Sequence, residues 1–221
     1  MLKKLITIPF ILSLAACSTQ VTRTNKVLKS TNNDNETVKF SVPPAACLGD
    51  TQLPASMIGK FDAVEDPVLL KASIGDAGEG KLCQGKVYQA NASATITIYR
   101  AWDSWNSFTK KGKWWAPTIP QGKTTSYQTD YEICYTWSPL DKLVRCQLKP
   151  GTKIVVGNGQ STSCPPPGDA KYPKTYILPV SAKKQIYLEN ARDATTNCHD
   201  FDNEFNWVEA KAPLKNATNK N

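Results

Sequence analysis

The chain has 221 residues and a net charge of +8, with seven cysteines and six tryptophans. Its length suits one domain with a substantial core. A positive surplus can indicate nucleic acid, anionic lipid headgroups or an acidic partner. Here the basic residues are spread out, and the densest block is Lys110, Lys111 and Lys113. This distribution argues against nucleic acid as a partner and favours an anionic membrane.

The first sixteen residues, MLKKLITIPFILSLAA, form the pattern of a secretory signal peptide. Lys3 and Lys4 supply its charged start, an apolar run follows over 5–14, and small residues end it. The apolar run is too short for a permanent membrane helix, which needs about 20 residues. We expect residues 1–16 to be removed.

The residues that follow, Leu14, Ala15, Ala16 and Cys17, resemble the lipobox of bacterial lipoproteins. The resemblance implies a diacylglyceryl thioether on Cys17, cleavage just before it, and acylation of the new amino terminus with fatty acids such as palmitate. Two or three acyl chains, at about 0.8 kcal/mol per buried methylene, form a stable anchor. Ser18, rather than Asp, implies sorting to the outer membrane, with the domain in the periplasm or on the cell surface.

Composition divides the rest of the chain into three parts. Residues 17–40 are predicted to be the lipidated N-terminus and a flexible tether, because they are polar and carry few large apolar groups. Residues 41–212 are predicted to form one globular domain, and 213–221 a polar tail.

Six cysteines remain in the predicted domain: Cys47, Cys83, Cys134, Cys146, Cys164 and Cys198. An exported chain meets an oxidising compartment, where an even set of thiols usually pairs. Six cysteines allow fifteen pairings, and sequence cannot choose between them. Proximity alone favours Cys134 with Cys146 and Cys47 with Cys83. None has C-x-x-C spacing, so neither a zinc site nor a redox site is indicated.

Strand patterns dominate the domain. Six segments are rich in β-branched and aromatic residues and are bounded by Gly, Pro or Asn: Lys86 to Ala90, Ala94 to Arg100, Lys142 to Leu148, Thr152 to Gly157, Thr175 to Val180 and Lys184 to Glu189. Pro150-Gly151 predicts a hairpin turn between two of them. Alternation along 94–100 places Ile96, Ile98 and Arg100 on one face.

Two short helices are predicted among these strands. Trp102, Trp105 and Phe108 recur every third residue, which predicts a helix ending at Gly112 with both tryptophans in the core. The second helix is predicted over 124–137 and stops before Pro139. The sequence therefore predicts a single strand-dominated α+β domain with about two short helices, stapled by disulfides.

The strand ending in Tyr99-Arg100 and the later segment over 183–190 resemble the core of the mono-ADP-ribosyltransferase toxins. The resemblance implies that Arg100 holds nicotinamide adenine dinucleotide (NAD) and that Gln185 begins the motif in which Glu or Gln stands two positions before the catalytic Glu. Tyr187 occupies the position of that Glu, and a phenol cannot supply its charge at neutral pH. Glu189, two residues further on, is the displaced candidate. Alternatively, Arg100 pairs with a carboxylate such as Asp103.

Trp114 and Trp115 are adjacent, so a strand would point them to opposite faces. An outward Trp115 could stack on a sugar, a ring or a partner's side chain. Alternatively, the loop from Pro117 to Pro120 covers it.

The only histidine, His199, lies beside Asp200, Asp202 and Glu204. The spacing does not match a calcium loop, and a lone histidine is poor for zinc. We therefore expect an acidic turn and no metal site.

Together these features predict a non-enzymatic envelope lipoprotein without a cofactor. Its partners are the membrane, through the lipid, and an envelope protein or surface glycan. The alternative is an ADP-ribosyltransferase-like enzyme, or an inactive relative, that uses NAD.

Overall fold

The structure is a computed structural model, and it describes residues 46–166 and 175–201. The chain divides into two units, Met1–Phe40 and Ser41–Asn221, and the described residues belong to the second. The predicted signal peptide, the lipidation site Cys17, the tether and the polar tail lie outside the described residues. In the part that is described, no helix has the length and apolarity needed to cross a bilayer.

The described residues form an α+β fold dominated by strands. The strands are β1 (Phe61–Ala63), β2 (Leu82–Ala90), β3 (Thr97–Trp102), β4 (Trp114–Trp115), β5 (Lys142–Leu148), β6 (Lys153–Gly159), β7 (Thr162–Cys164), β8 (Tyr176–Leu178), β9 (Lys184–Tyr187) and β10 (Thr195–Asp200). The α-helices are α1 (Pro67–Ser73), α2 (Thr124–Asp130) and α3 (Ala191–Ala194), and short 3₁₀ helices cover Ala55–Met57 and Ser107–Lys111.

The strands form two main antiparallel sheets. One has five strands in the order β1-β2-β6-β9-β4, and the other has three in the order β10-β5-β3. Strands β7 and β8 form a separate pair. The edge strand β3 and the residue that follows β4 are joined by a bridge, in which Tyr99 and Ala116 exchange N–H···O bonds of 2.9 and 2.7 Å. This bridge brings the edges of the two sheets together.

The main core contains side chains from the inner faces of both sheets. Ile98 and Val144 come from the three-stranded sheet, and Ile154 and Ile186 come from the five-stranded sheet. The outer face of the larger sheet packs against α1, and the outer face of the smaller sheet packs against Tyr127 of α2. Burying these apolar side chains is the main source of stability.

The Pro150-Gly151 turn is observed, but the predicted hairpin is wrong. Gly151 has φ of +73°, a conformation that glycine adopts without strain. However, β5 pairs with β3 and β10, whereas β6 pairs with β2 and β9. The turn therefore carries the chain from one sheet to the other.

The predicted helix through Trp102, Trp105 and Phe108 is also wrong. Trp102 is the last residue of β3 and is buried, as predicted, but Trp105 is 90% exposed. Side-chain oxygens of Asp103 and Asn106 accept the backbone N–H groups of Trp105 and Phe108, so they compete with a regular helix. The second predicted helix starts at Thr124 but ends at Asp130 rather than Trp137.

Three disulfides link the six cysteines: Cys47–Cys83, Cys134–Cys164 and Cys146–Cys198. The first confirms the predicted pair. The predicted Cys134–Cys146 pair is wrong, because Cys146 lies on β5 inside the main core and faces Cys198 on the paired strand β10. Strand pairing, rather than proximity in sequence, decides these partners.

Candidate functional site: an aromatic cleft with an arginine in its wall

A cleft of about 550 Å³ lies next to the bridge between β3 and β4. Its volume is within the usual range for small-molecule sites, which are mostly apolar with a few polar groups. Seven aromatic side chains line it: Trp102, Trp114, Trp115, Tyr127, Tyr131, Trp137 and Tyr187. Arg100, Lys113, Glu132 and Gln185 are among its polar residues.

Arg100 lies in the wall of the cleft, on β3 between Ile98 and Trp102 of the same strand face. Its Nε donates to the Thr109 carbonyl oxygen at 2.6 Å, and its Nη1 donates to that of Trp114 at 2.5 Å. It forms no ion pair with any described residue, so the predicted pairing with Asp103 is not observed. Burial lowers the pKa of Arg100. The guanidinium still keeps its charge at neutral pH, because its ordinary pKa exceeds 12.

Glu132 is a buried acid in the same cleft. It is the second residue after the end of α2 and has φ of +49°, and its Oε2 accepts a hydrogen bond of 2.5 Å from Nε2 of Gln185 on β9. Burial raises the pKa of Glu132 to about 9, against the lowering effect of the Gln185 hydrogen bond. The carboxyl group is therefore protonated and uncharged at neutral pH.

The rim of the cleft carries a charged cluster. Lys113 donates to Oε1 of Glu189 at 2.5 Å, and the Tyr187 hydroxyl donates to Oε2 of the same carboxylate. The Trp114 ring lies 4.8 Å from the Tyr187 ring, centre to centre. The Lys113 hydrogen bond lowers the pKa of Glu189. Glu189 is thus a charged carboxylate beside the cleft, but it is not one of the lining residues.

The structure brings together three of the four residues that the sequence suggested for binding or catalysis. Arg100, Trp115 and Gln185 line the same cleft, and Glu189 lies outside it. Trp115 is only 1% exposed, and its Nε1 donates to the Gly112 carbonyl oxygen at 2.7 Å. The prediction of an outward Trp115 is therefore wrong, because its side chain belongs to the core between the sheets. Trp114 is the more exposed of the two.

Sequence reasoning missed Glu132 and Trp137. Glu132 was included in a helix predicted to continue to Trp137, and nothing in its local pattern indicates burial. Its position depends on the early end of α2 and on contact with Gln185, 53 residues away in sequence. Trp137 is 52% exposed. It was predicted to be the last residue of the second helix, whereas the observed helix ends seven residues earlier.

His199 and Asp200 lie on strand β10, so the predicted turn is wrong at these two residues. Within residues 46–166 and 175–201, no group of three His, Cys, Asp or Glu side chains is arranged to hold a metal ion. Asp202 and Glu204 of the predicted cluster lie outside the described residues.

No protein-family model, curated protein or solved structure matches this chain.

Proposed function

We propose that the chain is a lipid-anchored lipoprotein of the outer membrane whose domain binds a small ligand in the aromatic cleft. The ligand has a planar ring and an anionic group. The observation that carries the proposal is Arg100, a half-buried cation that lines the cleft and has no carboxylate partner in the described part of the chain. A buried charge is costly unless it is paired, so an anionic ligand would relieve that cost.

The lining of the cleft supports a ring on the ligand. Aromatic side chains bind planar groups by offset or edge-to-face packing, and Trp114 and Tyr187 stand together at the rim. Buried Nε1 of Trp102 has no hydrogen-bond partner among the described residues and can donate to a ligand acceptor. Glu132, when protonated, is a further neutral polar group in the cleft.

A thermal-shift comparison tests the cleft. NAD and adenosine monophosphate carry anionic groups, and adenosine provides the same base without charge. We expect the anionic compounds to raise Tm more than adenosine does, and Arg100→Gln to remove the difference. Arg145→Gln is the matched control, because Arg145 packs over Phe201 and does not line the cleft. Equal shifts from charged and uncharged compounds would contradict the role of Arg100.

The anchor is tested separately by intact-mass measurement of the protein from its native membrane. We expect an amino terminus at Cys17 that carries diacylglycerol and one further acyl chain. A Cys17→Ser variant should lack both the added mass and the membrane association. An unmodified terminus in the wild-type protein would refute the anchor without affecting the cleft.

An NAD-dependent ADP-ribosyltransferase is the second candidate, and the convergence of Arg100 and Gln185 in one cleft favours it. The carboxyl groups favour simple binding instead. Glu132, inside the cleft, is uncharged at neutral pH, and the charged Glu189 lies outside. An oxocarbenium-like transition state needs a negative charge beside it. Measurable NAD cleavage that is lost in Glu189→Gln would support the enzyme over the binding protein.

A further inference from the structure

The loop over 103–111 presents two large apolar side chains to solvent. Trp105 is 90% exposed and Phe108 is 71% exposed. They lie three residues apart in the segment that follows β3. Isolated exposed apolar residues are common, but adjacent large aromatic residues more often indicate a surface that binds something.

Hydrogen bonds hold this loop in its shape. The carboxylate of Asp141 accepts from the backbone N–H of Ser104 at 2.9 Å and from its hydroxyl at 2.5 Å. Thr109 Oγ1 donates to the Asn106 carbonyl oxygen at 2.7 Å, and Asn106 accepts from the N–H of Phe108. Hydrogen bonds therefore hold the loop in the shape that exposes the two aromatic residues.

A shallow groove of about 440 Å³ beside Phe108 carries positive charge. Its lining contains Lys110, Lys111 and Arg192 and no carboxylate among the described residues. The Arg192 guanidinium lies 4.8 Å from the centre of the Phe108 ring. Lys110 is paired with Asp200 at 2.6 Å, whereas Lys111 and Arg192 form no ion pair with any described residue. Two cations beside the exposed aromatic residues are therefore available to an anion.

We propose that this loop and groove form the surface by which the domain docks on a lipid bilayer. Trp105 and Phe108 enter the membrane interface, and the groove takes the headgroup of an anionic phospholipid. Tryptophan favours the interface because its ring is apolar and its N–H is polar, and nearby Lys and Arg side chains are attracted to anionic headgroups.

We assign a bilayer as the partner of this surface because the lipid anchor would hold the domain beside one. This assignment rests on the proposed function. A flexible tether of the predicted length, from residue 18 to residue 40, would have an end-to-end distance of roughly 25 Å. This distance keeps the domain next to the membrane that holds the acyl chains. The high local concentration of that surface makes weak docking contacts sufficient.

The test uses the full acylated chain in phosphatidylcholine vesicles, with and without phosphatidylglycerol, and tryptophan quenching by brominated phosphatidylcholine. We expect quenching in vesicles that contain phosphatidylglycerol, and Trp105→Phe should remove most of the quenched emission. Trp137→Phe is the matched control, because Trp137 is exposed at the cleft and not on this loop. It should leave the quenched emission unchanged.

Charge variants test the groove. Lys111→Glu combined with Arg192→Glu should reduce the quenching roughly by half or more, because each cation contributes to attraction by the anionic surface. Lys71→Glu combined with Lys86→Glu makes the same charge change at exposed sites away from the groove and should not reduce it. Soluble glycerophosphoglycerol should not compete at concentrations that leave the vesicles intact.

The outcomes separate the two proposals. A wild-type chain that does not float with vesicles has no anchor, which overturns the proposed function and the docking surface together. A chain that floats, but whose Trp105 emission is not quenched, keeps its anchor and overturns the docking surface alone. If Lys111→Glu combined with Arg192→Glu leaves the quenching unchanged, the headgroup site in the groove is overturned.

Discussion

The carboxyl group of Glu132 is packed against the backbone of Gly159. A Cβ placed on that glycine would lie 1.7 Å from Oε2 of Glu132, so a side chain at position 159 would displace the acid. With Gln185 on its other side, the carboxyl group is almost fully buried. This enclosure is the physical cause of its high pKa.

We predict that Glu132→Gln stabilises the protein at alkaline pH. The pKa of Glu132 is about 9 in the folded protein and 4.5 as a free side chain, so the folded state holds a proton that the unfolded state loses between these values. Stability present below pH 4.5 is therefore lost progressively as pH rises towards 9. Because glutamine does not titrate, the variant should not show this loss. Its free energy of unfolding at pH 7 should exceed that of the wild-type protein by roughly 3 kcal/mol.

Urea unfolding at several pH values between 5 and 9 checks this prediction. Asp62→Asn is the control, because Asp62 is an exposed acid on β1 that does not line the cleft. The control should keep the slope of stability against pH. If Glu132→Gln keeps the wild-type slope of stability against pH, that slope comes from other groups and the prediction is contradicted.

Single residues were the least predictable level of this protein. Strand alternation predicts Ile96, Ile98 and Arg100 on one face; Ile96 and Ile98 lie in the main core, and Arg100 lines the cleft. The partners of Arg100 were not predictable, because they are backbone carbonyl groups brought close by a loop and not a carboxylate nearby in sequence. The burial of Trp115 likewise depends on which face of a two-residue strand turns towards the core.

At the level of elements, the central pairing of β2 with β6 depends on close backbone contact. A Cβ on Gly157 would lie 1.9 Å from the carbonyl oxygen of Gln84 on the neighbouring strand. Backbone atoms cannot move aside as the end of a flexible side chain can. Glycine at this position therefore permits the bulge that shifts the register between Leu82 and Gln84.

We predict that Gly157→Ala destabilises the protein by about 3 kcal/mol, the upper range for overpacking in a core. Gly59→Ala is the control: it has φ of +76° but open space around its Cα, so it should cost only about 1 kcal/mol of backbone strain. Chemical denaturation of both variants checks the difference. Equal losses would show that the contact with Gln84 relaxes at little cost.

The predicted strands were largely correct because β-branched and aromatic runs bounded by turn residues report local preference. The segment over 142–148 matches β5, and the others differ mainly at their ends. The pairing of the strands was harder to predict from the sequence. The Pro150-Gly151 turn looks the same in sequence whether it closes a hairpin or crosses between sheets, because the difference depends on distant strands.

Over the whole molecule, the three disulfides close sequence separations of 36, 30 and 52 residues. Closing loops of this size lowers the entropy of the unfolded chain and stabilises the fold by about 4 kcal/mol for each link. We predict that Cys146→Ala combined with Cys198→Ala lowers the free energy of unfolding by at least this amount, because Cys146 also fills space in the core.

Urea unfolding of this double variant beside Cys47→Ala with Cys83→Ala checks the prediction. Cys47 is exposed and outside the core clusters, so the second pair should lose only the entropy of its loop. A smaller loss for the Cys146–Cys198 variant than for this control would contradict the contribution from core packing.

The α+β class and the presence of disulfides were predictable from composition, strand patterns and the cysteine count. The cleft was not, because its walls come from β3, β4, β9 and the segment after α2. Arg100 and Gln185 stand 85 positions apart, and only the meeting of two sheet edges places them in one wall. Such convergence is a property of topology, which no local pattern contains.

Two of the disulfides interleave along the chain, since Cys146 falls between Cys134 and Cys164, and Cys164 falls between Cys146 and Cys198. A protease that cuts one peptide bond anywhere from 134 to 198 would therefore leave both fragments covalently tied. The nicked molecule would keep its full mass on a non-reducing gel and separate only after thiol treatment. A cut between 83 and 134 has no such link across it, so in that stretch the backbone alone joins the two halves covalently.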